Sequence, residues 1–164
     1  MNRKQRGFSL IELLVVVAIM LVIAAIAVPS LMAAKRSANQ ASAVGSLRNI
    51  ASAESTFRNN QTPQAFGTDV QLAAIDSANN NESYLDSAWE TAAVSATGIG
   101  GYKYVVSTEN GSQFLATAEP VSGNDGGFAY CITELGTVHK TTPGTIAAPG
   151  SRAECLALTD VVGK

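Results

Sequence analysis

The sequence predicts an α+β fold, a long N-terminal helix followed by an antiparallel sheet of about four strands that packs on the helix. Three observations predict it. Residues 8–34 are almost continuously apolar, with Glu12 the only formal charge. Residues 33–59 then place Ala43, Leu47, Ile50, Ala51 and Phe57 at helical spacing. Beyond residue 100 the pattern changes to short β-branched and aromatic runs separated by glycine-rich turns. Helix first and strands after is the order of an α+β domain.

The first element is a basic flank followed by an apolar run. Arg3, Lys4 and Arg6 precede Phe8, and no charge occurs from Leu13 to Ala34. Those 22 residues span about 33 Å as a helix, enough to cross the roughly 30 Å hydrocarbon core of a bilayer. The basic flank places the leader on the cytoplasmic side. Three readings compete: a secretory signal cut after Ala25-Ile26-Ala27, a permanent anchor, or a short leader removed ahead of an apolar helix that is kept. Glu12 favours the third. A carboxylate in the opening turns of an apolar helix costs on the order of 2.5–3.5 kcal/mol at mid-membrane, and a plain signal peptide has no use for it. Ser9-Leu10-Ile11-Glu12 also fits a capping box, so a purely local role stands beside any wider one.

Gly7-Phe8-Ser9-Leu10-Ile11-Glu12-Leu13, after a short basic leader and ahead of an apolar helix containing Pro29, resembles the type IV pilin class. That class takes in type IV pilins and the pseudopilins of type II secretion. The resemblance covers roughly residues 3–36 and implies a pilin-like fold. It implies cleavage by a prepilin peptidase between Gly7 and Phe8, N-methylation of Phe8, and a helix kink at Pro29. It also gives Glu12 and the Phe8 amine a joint role in subunit assembly. On this reading residues 1–7 are a cleaved leader and 8–34 a transmembrane and filament-core helix. Residues 35–59 are its amphipathic continuation, and 60–164 complete a globular head. The partners implied are further copies of the chain in a helical filament, the peptidase and the assembly machinery. The location implied is the bacterial inner membrane, then a filament on the cell surface. The alternatives are a type II secretion pseudopilin, a membrane-tethered binding module that never polymerises, and a soluble head released after Ala27.

The remaining elements follow in order. Lys35, Arg36, Arg48 and Arg58 lie away from most of the apolar stripe, as in a helix half-covered by a domain. A single helix is predicted from Phe8 to Asn59, against two helices broken at Pro29. Thr68 is a candidate cap for a short helix through Val70, Leu72, Ala73 and Ile75, ended by Asn79-Asn80-Asn81. Leu85 to Val94, around Trp89, predicts a further helical turn. Tyr102–Ser107 and Gln113–Ala118 flank Asn110-Gly111, a hairpin signal because both residues tolerate positive φ. Phe128–Thr133 and Thr137–Lys140 complete the predicted sheet, with Pro120 and the Gly123–Gly127 run separating the second and third strands. Cys131 and Cys155 fit the C-terminal disulfide that the pilin resemblance implies, and an even cysteine count in an extracytoplasmic segment favours pairing.

Enzymatic and ligand-binding readings find little support. No nucleophile motif accompanies His139, which is expected to be isolated and exposed. Gly98-Ile99-Gly100-Gly101 lacks the Lys-Ser/Thr of a phosphate loop and reads as the entry to the first strand. Asp125 lacks the alternating acidic ligands of a calcium loop, so turn chemistry accounts for it. No cofactor and no metal are expected, and one His with two Cys cannot supply four structural zinc ligands. Asn81-Glu82-Ser83 and Asn110-Gly111-Ser112 match the glycosylation acceptor pattern. The net charge is −2. Removing three of the 11 basic side chains with the leader leaves 8 against 13 acidic ones, so no strong nucleic-acid binding is expected.

Overall fold

The computed structural model describes residues 8–76, 82–89 and 98–163. Its elements, in chain order, are α1 (Leu10–Asn60), α2 (Asp69–Ala73), a 3-10 turn (Ser87–Trp89), β1 (Tyr102–Glu109), β2 (Gln113–Pro120), β3 (Tyr130–Thr133), β4 (Val138–Lys140) and α3 (Arg152–Ala157). The chain divides into two compact units, Met1–Lys35 and Arg36–Lys164.

The helix is assigned without interruption through Pro29, so the two-helix alternative is not what forms. It starts at Leu10 rather than Phe8 because Ser9 takes the capping position. The Glu12 and Leu13 amides donate to the Ser9 carbonyl, at 3.1 and 3.3 Å. In the first unit every large apolar side chain from Leu10 to Met32 is exposed. In the second, the same helix buries Ala43, Val44, Leu47, Ile50, Ala53, Glu54 and Phe57 along one face. Arg48 and Arg58 point away from that face, as predicted, and Ala51 sits at its margin.

The sheet is an antiparallel meander in the order β1-β2-β3-β4. Asn110 and Gly111 hold positive φ, 53° and 67°, at the β1–β2 turn. Alternation along the strands sends Tyr102, Tyr104, Val106, Phe114, Ala116, Ala118, Tyr130, Ile132 and Val138 into the core formed with α1. Both hairpin strands outrun their predicted ends, and Pro120 closes β2 opposite Tyr102 instead of preceding a loop. A proline is tolerated there because the facing Tyr102 exchanges its backbone hydrogen bonds with Ile99, so no donor is required of Pro120. β3 and β4 begin later than expected, at Tyr130 and Val138.

β2 is buried on both faces, which sequence alternation alone does not predict. The cause is α3, which falls within a stretch expected to be loop. Its Cys155 joins Cys131 of β3 in a disulfide, and the two pack with Leu115 and Leu158 on the sheet face opposite α1. Ser151 caps α3 by accepting from the Glu154 amide, and the Arg152 guanidinium pairs with the Glu134 carboxylate.

His139 is half-buried, not exposed and isolated. Its Nδ1 lies 2.8 Å from the Leu158 carbonyl, which can only accept, so that nitrogen carries the proton. The C-terminal strand-like segment at Val161 also bridges to it. Thr68 caps α2 as predicted, but the helix ends at Ala73, leaving Val70 and Ile75 exposed and only Leu72 buried. The turn around Trp89 is 3-10. The Asn79-Asn80-Asn81 break, the acceptor at Asn81 and residues 90–94 lie outside the described residues.

Candidate functional site

The candidate site is the start of α1. Phe8 precedes the helix and is 81% exposed. Ser9 is the cap, and its backbone amide donates to Glu12 Oε2 at 3.0 Å. Glu12 therefore forms the backbone-directed half of a capping box, with one carboxylate oxygen engaged by its own chain. Gly7 lies outside the described residues. The structure thus brings Phe8 within one helical turn of Glu12 and places Pro29 inside the helix. Cys131 and Cys155 belong to the other unit and meet in the disulfide there.

The surroundings of Glu12 are chemically one-sided. An 18-residue window within α1 reaches a mean hydropathy of 3.1 with none of it buried, which meets the length and apolarity needed to cross a membrane. Sixteen large apolar side chains between Leu10 and Met32 face outward on every side of the helix. A helix apolar all round is stable only where lipid or other apolar helices cover it. In such a place a carboxylate needs a cation, because an ionised group withdrawn from water without a partner is costly. A helix N-terminus adds a partial positive charge, and an amine freed there would add a full one.

Among its described residues the second unit supplies no comparable site. Arg36 donates to the Asn124 side chain at 2.9 Å, Arg58 stacks over Phe66, and Lys140 lies over Phe128. With Arg152 on Glu134, these cations are each engaged locally. Ser122 donates to Asp125 at 2.6 Å and Asn39 donates to the Asp125 carbonyl at 3.0 Å, so the Gly-rich turn is tied to α1. No cluster of three or more metal-type ligands occurs among the described residues.

Sequence reasoning missed one residue of consequence. Glu54 is fully buried on the stripe that joins Leu47, Ile50 and Phe57. The spacing was sufficient to find it, since 43, 47, 50, 54 and 57 advance by four and three. A charged residue type hid it among apolar ones.

Residues 2–28 match the family described as prokaryotic N-terminal methylation motif, the prepilin-type leader of type IV pilins and pseudopilins. No curated protein and no solved structure matches the chain.

Proposed function

We propose that this protein, which carries the prepilin-type motif, is a structural subunit of a type IV pilus-like filament. The observation that carries the reading is the exposed apolar first half of α1 with one carboxylate in its first turn, behind a basic leader. A prepilin peptidase removes residues 1–7, and Phe8 becomes a methylated N-terminal amine. Residues 8–34 hold the subunit in the inner membrane and then form the filament core. Residues 35–59 continue the helix into the head, and 60–164 complete the outer surface of the filament. The role is structural, not enzymatic.

The chemistry of assembly rests on two groups. The Phe8 amine is a cation at the positive end of a helix, in apolar surroundings. The Glu12 carboxylate of a neighbouring copy neutralises it, and the pair sets the axial register between subunits. Removing one partner of such a pair typically costs about 3–5 kcal/mol. Pro29 lacks the amide that would donate to the preceding turn, so it is where the helix bends within the bundle.

The motif is shared by pilins and pseudopilins, so the pseudopilin remains the second reading. Co-expression of the full chain with a prepilin peptidase tests the first step. Intact mass and N-terminal sequencing are expected to show a methylated start at Phe8. A mature start at Val28 would overturn the reading in favour of a secretory signal. Electron microscopy of cells then separates long surface filaments, expected here, from a membrane-held monomer.

A further inference from the structure

Glu54 has no part in the assembly reading, yet it is one of the buried residues of the head. Its side chain is fully buried between α1 and the segment that follows it. One oxygen, Oε2, accepts a hydrogen bond from the Gly67 amide at 2.9 Å. The other, Oε1, is buried without a hydrogen-bond partner. Gly67 is held close to the helix, since a Cβ there would come within 3.1 Å of the Phe57 ring. This bond ties the Gly67 backbone to α1 immediately before the Thr68 cap of α2, while the adjacent Phe66 is held by the Arg58 guanidinium over its ring and by its amide on the Gly111 carbonyl.

A buried carboxyl with one unmet oxygen is far more tolerable neutral than ionised. Among the described residues, the only hydrogen-bonding influence on Glu54 is the Gly67 amide, and no cation acts on it. Arg58, one turn further along α1, stacks over Phe66. Glu134 of the β3–β4 turn pairs with Arg152, and Asp76 accepts from Gln61 and Tyr84. Tyr104 on β1 packs its ring on Trp89, and its buried hydroxyl makes no hydrogen bond to Glu54. None of these charges compensates Glu54.

We propose that Glu54 is a proton-operated latch: its neutral form holds the Phe66–Gly67 segment against α1, and its ionisation releases that segment. Burial raises the Glu54 pKa to about 7, partly offset by the Gly67 hydrogen bond. The sign follows from the two states. A carboxyl that ionises near 4.5 when released and near 7 when held is fully latched below pH 4.5. The advantage is lost as pH rises through that window and is gone above it. The opening constant of the segment should therefore rise roughly 40-fold between pH 5 and pH 7. The latch sits where the helix hands the chain to the rest of the head, so a more acidic exterior tightens that junction.

The test uses the full chain in detergent micelles. Hydrogen exchange of the Gly67 and Leu72 amides is measured from pH 5 to 8 and corrected for intrinsic exchange. The wild type should show opening that rises tens of fold, and Glu54→Gln, a neutral isostere, should show opening that is flat with pH. A flat wild-type profile, or the same pH dependence in Glu54→Gln, overturns the latch. Carbon-13 NMR of glutamate-labelled wild-type chain gives an answer even if the variant fails to fold. One carboxyl titrating near neutrality, and absent from the unfolded chain, is expected. Glutamates that are all ionised by pH 5.5 would overturn the proposal.

Discussion

Between Leu10 and Met32, α1 keeps every large apolar side chain at the surface, whereas between Ala43 and Phe57 it buries seven side chains in the head. The secondary structure is the same and the solvation problem is opposite. The second stretch is completed by its own chain, through the sheet and the segment after Asn60. The first is left uncovered by its own chain and needs lipid or other apolar helices around it. Each stretch carries one glutamate, and their settings follow suit. Glu54 is enclosed and meets a backbone amide of the head. Glu12 is exposed and accepts from the Ser9 amide of its own helix; in the proposed filament it would meet the Phe8 amine of a neighbouring copy.

Glu12→Gln should break the comparison most severely. Glutamine preserves size and serves at the same capping-box position. What it removes is the charge, at about 3–5 kcal/mol per subunit contact in a site withdrawn from water. Peptidase processing should continue, filaments should be lost, and the subunit should collect in the membrane with its Cys131–Cys155 disulfide intact. Sedimentation of sheared filaments against membrane fractions reads the outcome. Normal filament yield would reduce Glu12 to a cap.

Leucine truncation on the two stretches sharpens the contrast. Leu47→Ala empties a fully buried position and should lower head stability by about 2–5 kcal/mol. Leu21→Ala, at a position 66% exposed, should leave head unfolding unchanged. Trp89 packs edge-on against Tyr104, so its fluorescence reports unfolding of the head in detergent-solubilised full chain. Equal effects of the two substitutions would show that the stretches do not form separate stability units.

These differences mark how far the sequence can be read. The apolar run and its lone carboxylate are legible because length and charge are one-dimensional properties. The Asn110-Gly111 hairpin and the Thr68 cap are legible because their geometry depends on a few adjacent residues. The fate of Glu54 depends on Gly67, thirteen residues away, and its residue type argues for the surface until the stripe is counted. α3 escaped for a different reason. Ser151-Arg152-Ala153-Glu154 carries the capping spacing, but the Pro- and Gly-rich approach masks a helix of six residues. Short helices owe their existence to packing, here against Leu115 and the disulfide. His139 follows from the same omission, because its partner is the Leu158 carbonyl at the end of α3.

The disulfide is the next largest expected effect and bears only on the head. It closes a separation of 24 residues between β3 and α3. Chain-entropy reasoning assigns such a loop about 3.5 kcal/mol. Replacing Cys131 and Cys155 together by Ala should lower head stability by about that much and free α3 to detach. The Arg152–Glu134 pair and Leu158 remain to hold α3 in part. Chemical denaturation followed at Trp89 measures the loss, and hydrogen exchange of the backbone amide at position 155, which bonds the Ser151 carbonyl, shows whether α3 has opened. An unchanged midpoint would mean that side-chain packing alone fixes α3.

The smallest effect supplies the scale for the largest. Thr68 and Gln71 stand at the same spacing as Ser9 and Glu12. The Thr68 amide donates to Gln71 Oε1 at 2.9 Å, as the Ser9 amide does to Glu12 at 3.0 Å. Thr68→Ala removes the hydroxyl that accepts from the Gln71 amide, a loss worth about 1 kcal/mol. α2 is five residues long and buries only Leu72, so the change should appear as local opening. Exchange of the Leu72 amide, which bonds the Thr68 carbonyl, should quicken about five-fold, with little change in the unfolding of the head. That figure is what capping contributes in this protein, in a site with no buried charge. If capping were all that Glu12 did, Glu12→Gln would cost no more than Thr68→Ala and filaments would persist. A loss of assembly several kcal/mol beyond that benchmark belongs to the charge.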